Sequence, residues 1–207
     1  MCPLADTEKK FLGAALRNFF TFTADLKMNN SAHPSDVLSS ISGETVLSAW
    51  AQEMAFYGPD DNGLFIHPDF DFIQANVLEM RMLSGKTVHF TTAQNDVDWE
   101  LWPHLVPETK NLISDLGSGF FRTRHMPEFP LGIIDEIERP TTTETGLQII
   151  RLKIGTAQVI LRAGEVDEGF NGKLTIHDRD ECVLIFLSEQ AHSKTIFNAP
   201  VYEVPNY

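Results

Sequence analysis

Apolar positions change their spacing along the chain. In the first sixty residues they recur every three or four positions, as on one face of a helix. Asp6 can cap a first turn, and Phe11, Leu12, Ala15, Leu16, Phe19 and Leu26 then mark one long helix ending near Asn29-Asn30. Pro34 behind His33 suits the first turn of a short helix running through Ile41. Ser42 offers a cap for a further helix with Val46, Leu47, Trp50 and Met54 along one face, stopped by Gly58-Pro59.

Beyond "GPDDNG" the spacing turns to that of strands. "LFIHPDFDFI" alternates apolar and polar side chains over its length. "NVLEMRML" and "KTVHFTTA" flank Ser84-Gly85 as a hairpin, although "ANVLEMRML" alone fits a helix equally well. Signals are mixed from Asp96 to Phe121, where Pro107-Glu108-Thr109, Leu112, Ile113, Leu116 and Gly117 read as one short helix. From Leu131 the runs are short and β-branched: "LGIIDEIE", "GLQIIRLKI", "AQVILRA", "KLTIH", "CVLIFL" and "KTIFNAPVY". The separators "RPTTTET", "GT", "GEVDEGFNG" and "DRDE" are rich in turn residues, which join antiparallel neighbours. The expectation is one α+β domain over 1–207, helix-rich to 58, mixed over 59–130 and β-rich over 131–207. Its N-terminal helices would pack on a largely antiparallel, meander-like sheet formed mainly by the C-terminal half.

Charge narrows the partners. The net charge of −13, with acids spread along both halves, repels phosphate backbones and anionic lipid, so neither nucleic acid nor a membrane surface is expected. It suits a basic protein partner. Two cysteines, Cys2 and Cys182, build no disulfide framework, which favours a reducing, cytoplasmic setting. Lys9-Lys10 before "FLGAALRNFFTFTA" imitates a secretory leader, but Arg17 and Asn18 interrupt its apolar run as an amphipathic helix would. Phe19, Phe20 and Phe22 cannot share one helical face, which makes a homodimer through that helix one expectation.

Four groups of residues carry candidate chemistry. In a strand, His67, Asp69 and Asp71 share one face of "FIHPDFDF", offering an imidazole and carboxylates to a divalent metal if His104, His125, His177 or His192 completes the set. The competing reading is a solvated edge strand, which Pro68 favours, and no cofactor is predicted. A hairpin about Arg179-Asp180 places His177 opposite Cys182, the minimum for a thiolate nucleophile, although cysteine heading "CVLIFL" also suits a core. Arg122, Arg124 and His125 form the one locally basic spot, where two arginines on one face of an extended segment suit a carboxylate or phosphate, or answer acids of the chain itself. Asp96, Asp98 and Glu100 alternate as a solvated strand face would, without the glycine of a calcium loop. Two functional readings follow: an acidic interaction module binding a partner protein in the manner of an inhibitor, or an enzyme or small-ligand-binding protein with a pocket between helices and sheet.

Overall fold

The computed structural model describes residues 32–54, 70–95, 98–107, 121–142, 147–168 and 174–198. Of these, 67% lie in strands and 11% in two short helices, which overturns the α+β expectation. The long helix read over Phe11 to Leu26 and the short one after Pro107 lie outside the described residues. No helix among the described residues is long and apolar enough to cross a membrane.

Helix α1 spans Pro34–Ile41, as its proline predicts, and the His33 ring accepts from the Ser35 amide at 3.2 Å to cap it. Among the described residues nine strands follow: β1 (Thr45–Met54), β2 (Ile73–Met82), β3 (Thr87–Asn95), β4 (Asp98–Val106), β5 (Phe121–His125), β6 (Gly132–Thr142), β7 (Leu147–Ile154), β8 (Ala157–Glu168) and β9 (Leu174–Phe186). Helix α2 spans Glu189–Lys194, with the Ser188 hydroxyl accepting from the Ala191 amide at 3.1 Å. The sheet order is β4-β3-β2-β9-β8-β7-β6-β1-β5, and pairing of β1 with β2 closes six of the strands into an antiparallel barrel.

So narrow a barrel is filled by its own side chains. Ala49, Ala51 and Ala75 line it beside Leu78, Met80, Phe90, Ile150, Leu161 and Ile185, and Val37, Leu38 and Ile41 of α1 join the same core. A second cluster covers the opposite face of β8 and β9. There Ile160, Leu184 and Phe186 pack with Phe72, Val166, Ile176 and Ala191. Burial on both faces is why "CVLIFL" and Val159-Ile160-Leu161 read as unbroken apolar runs.

The tight hairpins stand where turn residues predicted them, β2–β3 about Ser84-Gly85 and β7–β8 about Gly155-Thr156, with Gly155 at φ 58° as a two-residue turn requires. Four other expectations are corrected. Residues 45–54, read as a helix, are strand β1. A bulge between Val46 and Ser48 adds one residue, so inward-facing Val46 and Ala49 stand three apart and imitate a helical stripe. "LFIHPDFDFI" ends as a bend at Asp71-Phe72, and pairing starts only at Ile73. "RPTTTET" does not end β6, because the ladder resumes beyond Pro140 after an irregularity. The described part of "KTIFNAPVY", residues 194–198, forms no long strand: Lys194 ends α2, and Asn198 makes one isolated parallel bridge to His177.

"DRDE" proves to be a skip within β9 instead of a turn. Ala163 of β8 pairs with Val183, and the next residue, Gly164, pairs with Asp178. Close approach depends on Gly164, since a Cβ there would stand 2.7 Å from the His177 carbonyl oxygen and 2.9 Å from Leu184 Cδ1. Gly164→Ala is expected to cost about 1–3 kcal/mol in urea denaturation, and an unchanged midpoint would mean that the skip relaxes freely.

Candidate functional site

Backbone register places one polar row across five strands. His125 of β5 pairs with Trp50 of β1, Trp50 with Glu79 of β2, Glu79 with His89 of β3, and His89 with His104 of β4. Directly opposed residues of antiparallel strands share a face, so these five side chains form a continuous line. Trp50 and His125 meet edge to face with ring centroids 5.3 Å apart, and His89 meets His104 at 5.6 Å.

At the centre of the row a carboxylate is clamped from both sides. His89 Nε2 lies 2.8 Å from Glu79 Oε2, and Arg81 Nε donates to Glu79 Oε1 at 2.6 Å while its guanidinium stands 5.7 Å from the Trp50 ring centre. Glu79 and His89 are each 1% exposed. Burial pushes the Glu79 carboxyl up, but the hydrogen bonds from His89 and Arg81 outweigh it and hold the group below the usual carboxylate range. An ionised carboxylate only accepts, so His89 carries its proton on Nε2. The His104 ring is pushed down, first by burial and then by His89, against the opposing pull of the Trp102 carbonyl. The Glu79–His89 pair itself is closed to solvent, while the Arg81 side chain beside it is 41% exposed.

The predicted anion-binding arginines meet the chain's own acids. Arg122 and Arg124 share a face of β5, as an extended segment requires, and that face looks onto Glu53 of β1, which is 0% exposed. Arg124 Nε donates to Glu53, and its two other nitrogens donate to Glu128 at 3.2 and 2.6 Å. Arg122 Nη2 lies 3.6 Å from Glu53 Oε2. His125 points to the other face, in the row with Trp50, so the three candidates do not converge.

His177 and Cys182 also stand apart. His177 is opposite Glu165, and Cys182 lies in the β9 skip, where Gln74 Nε2 approaches its sulfur at 3.3 Å. Burial, with the charge of Glu165, pushes the Cys182 thiol well up, opposite to the need of a thiolate nucleophile. Of the metal candidates, His67 and Asp69 lie outside the described residues, and Asp71 is exposed in the bend before β2. The histidines offered to complete that set are dispersed, with His104 and His125 in the polar row, His177 on β9 and His192 on α2 against Phe186. Among the described residues no group of three or more histidines, cysteines and acids is arranged to hold a metal. The alternating acids of β4 are not a solvated face: Asp98 pairs with Arg179 at 2.7 Å and Glu100 is 2% exposed, while Asp96 lies outside the described residues.

The sequence pattern does not single out Glu79. The observed loop sets Arg81 opposite Thr87 and hence Glu79 opposite His89, whereas a two-residue turn at Ser84-Gly85 would set Glu79 opposite Phe90, so the pair rests on the exact loop length.

One exposed feature is apolar. Ile133 pairs with Thr45, Leu131 and Leu47 flank the adjacent Val46–Gly132 pair, and the Leu83 amide donates to the Thr45 carbonyl at 2.8 Å. Leu47, Leu83, Leu131 and Ile133 are 51%, 66%, 56% and 52% exposed, so four large aliphatic side chains surround Thr45 on the outside of the barrel. Glu44, Asp135 and Glu136 adjoin them in sequence, and Lys86 is tied to Glu44 at 2.8 Å. Comparison of the chain with protein-family models, curated proteins and solved structures finds no match.

Proposed function

We propose that the protein is an interaction module that binds a basic partner protein in the cytoplasm, and that the partner seats on the apolar patch around Thr45. The observation that carries this reading is the exposure of Leu47 on β1 and Ile133 on β6 together with Leu83 just past β2 and Leu131 just before β6. Contiguous exposed aliphatic surface of this kind marks association sites, and an apolar centre with a polar rim is the usual anatomy of an interface. The rim is acidic, and the chain as a whole carries −13. Such a surface complements an apolar patch edged by lysine or arginine, whereas a second copy of this chain would bring like charge to the contact.

The enzyme reading draws less support. The imidazole and carboxylate that stand within hydrogen-bonding distance in the polar row, His89 and Glu79, are each 1% exposed, so neither presents an open face to a substrate.

The test is affinity capture from the source cell with the wild-type chain and with the double variant Leu83→Asp/Leu131→Asp, at low and high salt. The expected result is a basic protein retained by the wild type at low salt, weakened by salt and lost from the variant. Identical retention by both chains overturns the placement. Light scattering that shows a concentration-dependent dimer in the wild type alone would make the occupant a second copy and overturn the basic-partner reading.

A further inference from the structure

The β8–β9 ladder is intact on both sides of one break. Because Ala163 pairs with Val183 and Gly164 with Asp178, the four residues Arg179, Asp180, Glu181 and Cys182 have no partner on β8. The segment bends through Arg179, whose φ of 59° lies in the left-handed region that a non-glycine side chain disfavours. Neighbouring strands hold it. Arg179 pairs with Asp98 of β4 at 2.7 Å, the Thr92 hydroxyl of β3 donates to the Glu181 carbonyl, and Gln74 of β2 approaches Cys182.

Carboxylates crowd this break. Glu165, one residue past Gly164 on β8, stands opposite His177, and the charges of Asp180, Glu181 and Asp167 act on it. The arginines of the region are engaged by other acids: Arg179 by Asp98, and Arg162 by both oxygens of Asp178 at 2.7 and 2.6 Å. The described groups that face the break are therefore Glu165 and Asp167 from β8, His177, Arg179, Asp180, Glu181 and Cys182 from β9, and Asp98 from β4. From β2 come the neutral amides Gln74 and Asn76, and from β3 the Thr92 hydroxyl.

We propose that this break is a proton-operated hinge: with Glu165 and Glu181 protonated the skipped segment stays seated, and ionisation of both releases it together with the arm formed by Gly164–Glu168 and Leu174–Asp178. The electrostatics agree with the geometry. Burial, followed by the charges of Asp180, Glu181 and Asp167, pushes the Glu165 carboxyl up to about 8, and burial with Asp180 pushes Glu181 up to about 7. An acid whose pKa is higher folded than unfolded holds its proton more tightly when folded. Its contribution is full below the ordinary value of 4.5, falls as pH rises above it, and is wholly lost above about 8.

The hinge is tested by hydrogen-exchange mass spectrometry at about pH 5.5 and about pH 8.5, with rates corrected for intrinsic exchange. In the wild type, protection of peptides covering 164–168 and 174–182 is expected to fall about tenfold or more at the higher pH, while β6 and β7 keep theirs. The isosteric Glu165→Gln/Glu181→Gln variant, in which neither group ionises, is expected to stay protected at both. Equal wild-type protection at the two pH values, or an equal loss in the variant, overturns the proposal. A side-chain carboxyl NMR titration supplies a check that needs no variant: resonances of Glu165 and Glu181 that titrate in the ordinary carboxylate range overturn it too.

Discussion

Replacing Arg124 with alanine is expected to lower the unfolding free energy by about 3–5 kcal/mol, the cost of leaving a buried charge without its partner. Glu53 is wholly buried, and its two oxygens are unequally served. Oε2 takes Arg124 Nε and lies 3.6 Å from Arg122 Nη2, whereas Oε1 has no hydrogen-bond partner among the described residues. The carboxylate therefore depends on guanidinium charge from one side. Burial works against the charge on Arg124, but bonds to Glu128 and Glu53 outweigh it and raise its pKa, so the guanidinium stays charged through any accessible pH. Truncation removes that charge and also frees Glu128. Urea denaturation of Arg124→Ala, Glu53→Gln and the double variant closes a thermodynamic cycle, and the double variant is expected to be more stable than Arg124→Ala alone, because the orphaned charge is gone. A loss under about 1 kcal/mol for Arg124→Ala would place the pair with solvent-screened surface bridges and refute this account.

The parts of this fold that the sequence announces are the parts whose partners are close in the chain. Ser84-Gly85 and Gly155-Thr156 mark two hairpins, although the register of Glu79 against His89 is one residue off that of a two-residue turn at Ser84-Gly85. Pro34 sets the first turn of α1. What the sequence conceals comes from distant pairing. Arg122 and Arg124 meet Glu53 because β5 seats beside β1, some seventy positions away, and no local pattern states that neighbour. Irregularities conceal the rest. An extra residue in β1 converts a two-residue period into a three-residue one, which reads as a helix, and skipped residues in β9 carry turn-forming side chains without reversing the chain. The first of these turns a barrel strand into a helix and so favours an α+β class, and the second cuts one long strand into a hairpin that would join His177 to Cys182.

The polar row carries the second large effect. His89→Ala is expected to cost about 3–5 kcal/mol, because it leaves the Glu79 carboxylate buried with Arg81 as its remaining described hydrogen-bond donor and opens a void between β2 and β4. Glu79→Gln should cost less, since an amide fills the same space, carries no charge and still accepts from Arg81 and His89. The two variants part further with pH. Glu79 is held below its ordinary pKa, so the stability it contributes is present above the unfolded value and is lost as pH falls through the folded one. The wild type should therefore lose stability on the acid side of the ordinary carboxylate range, and Glu79→Gln should lose less over the same interval. Urea midpoints measured from about pH 6 down to about pH 3 test both statements. Parallel pH profiles for the wild type and Glu79→Gln would mean that the bonds from His89 and Arg81 do not hold the carboxylate ionised. A small loss in His89→Ala would show further that register in this part of the barrel is fixed by the apolar face alone, by Leu78, Met80, Val88 and Phe90 packed on the opposite side of the same two strands.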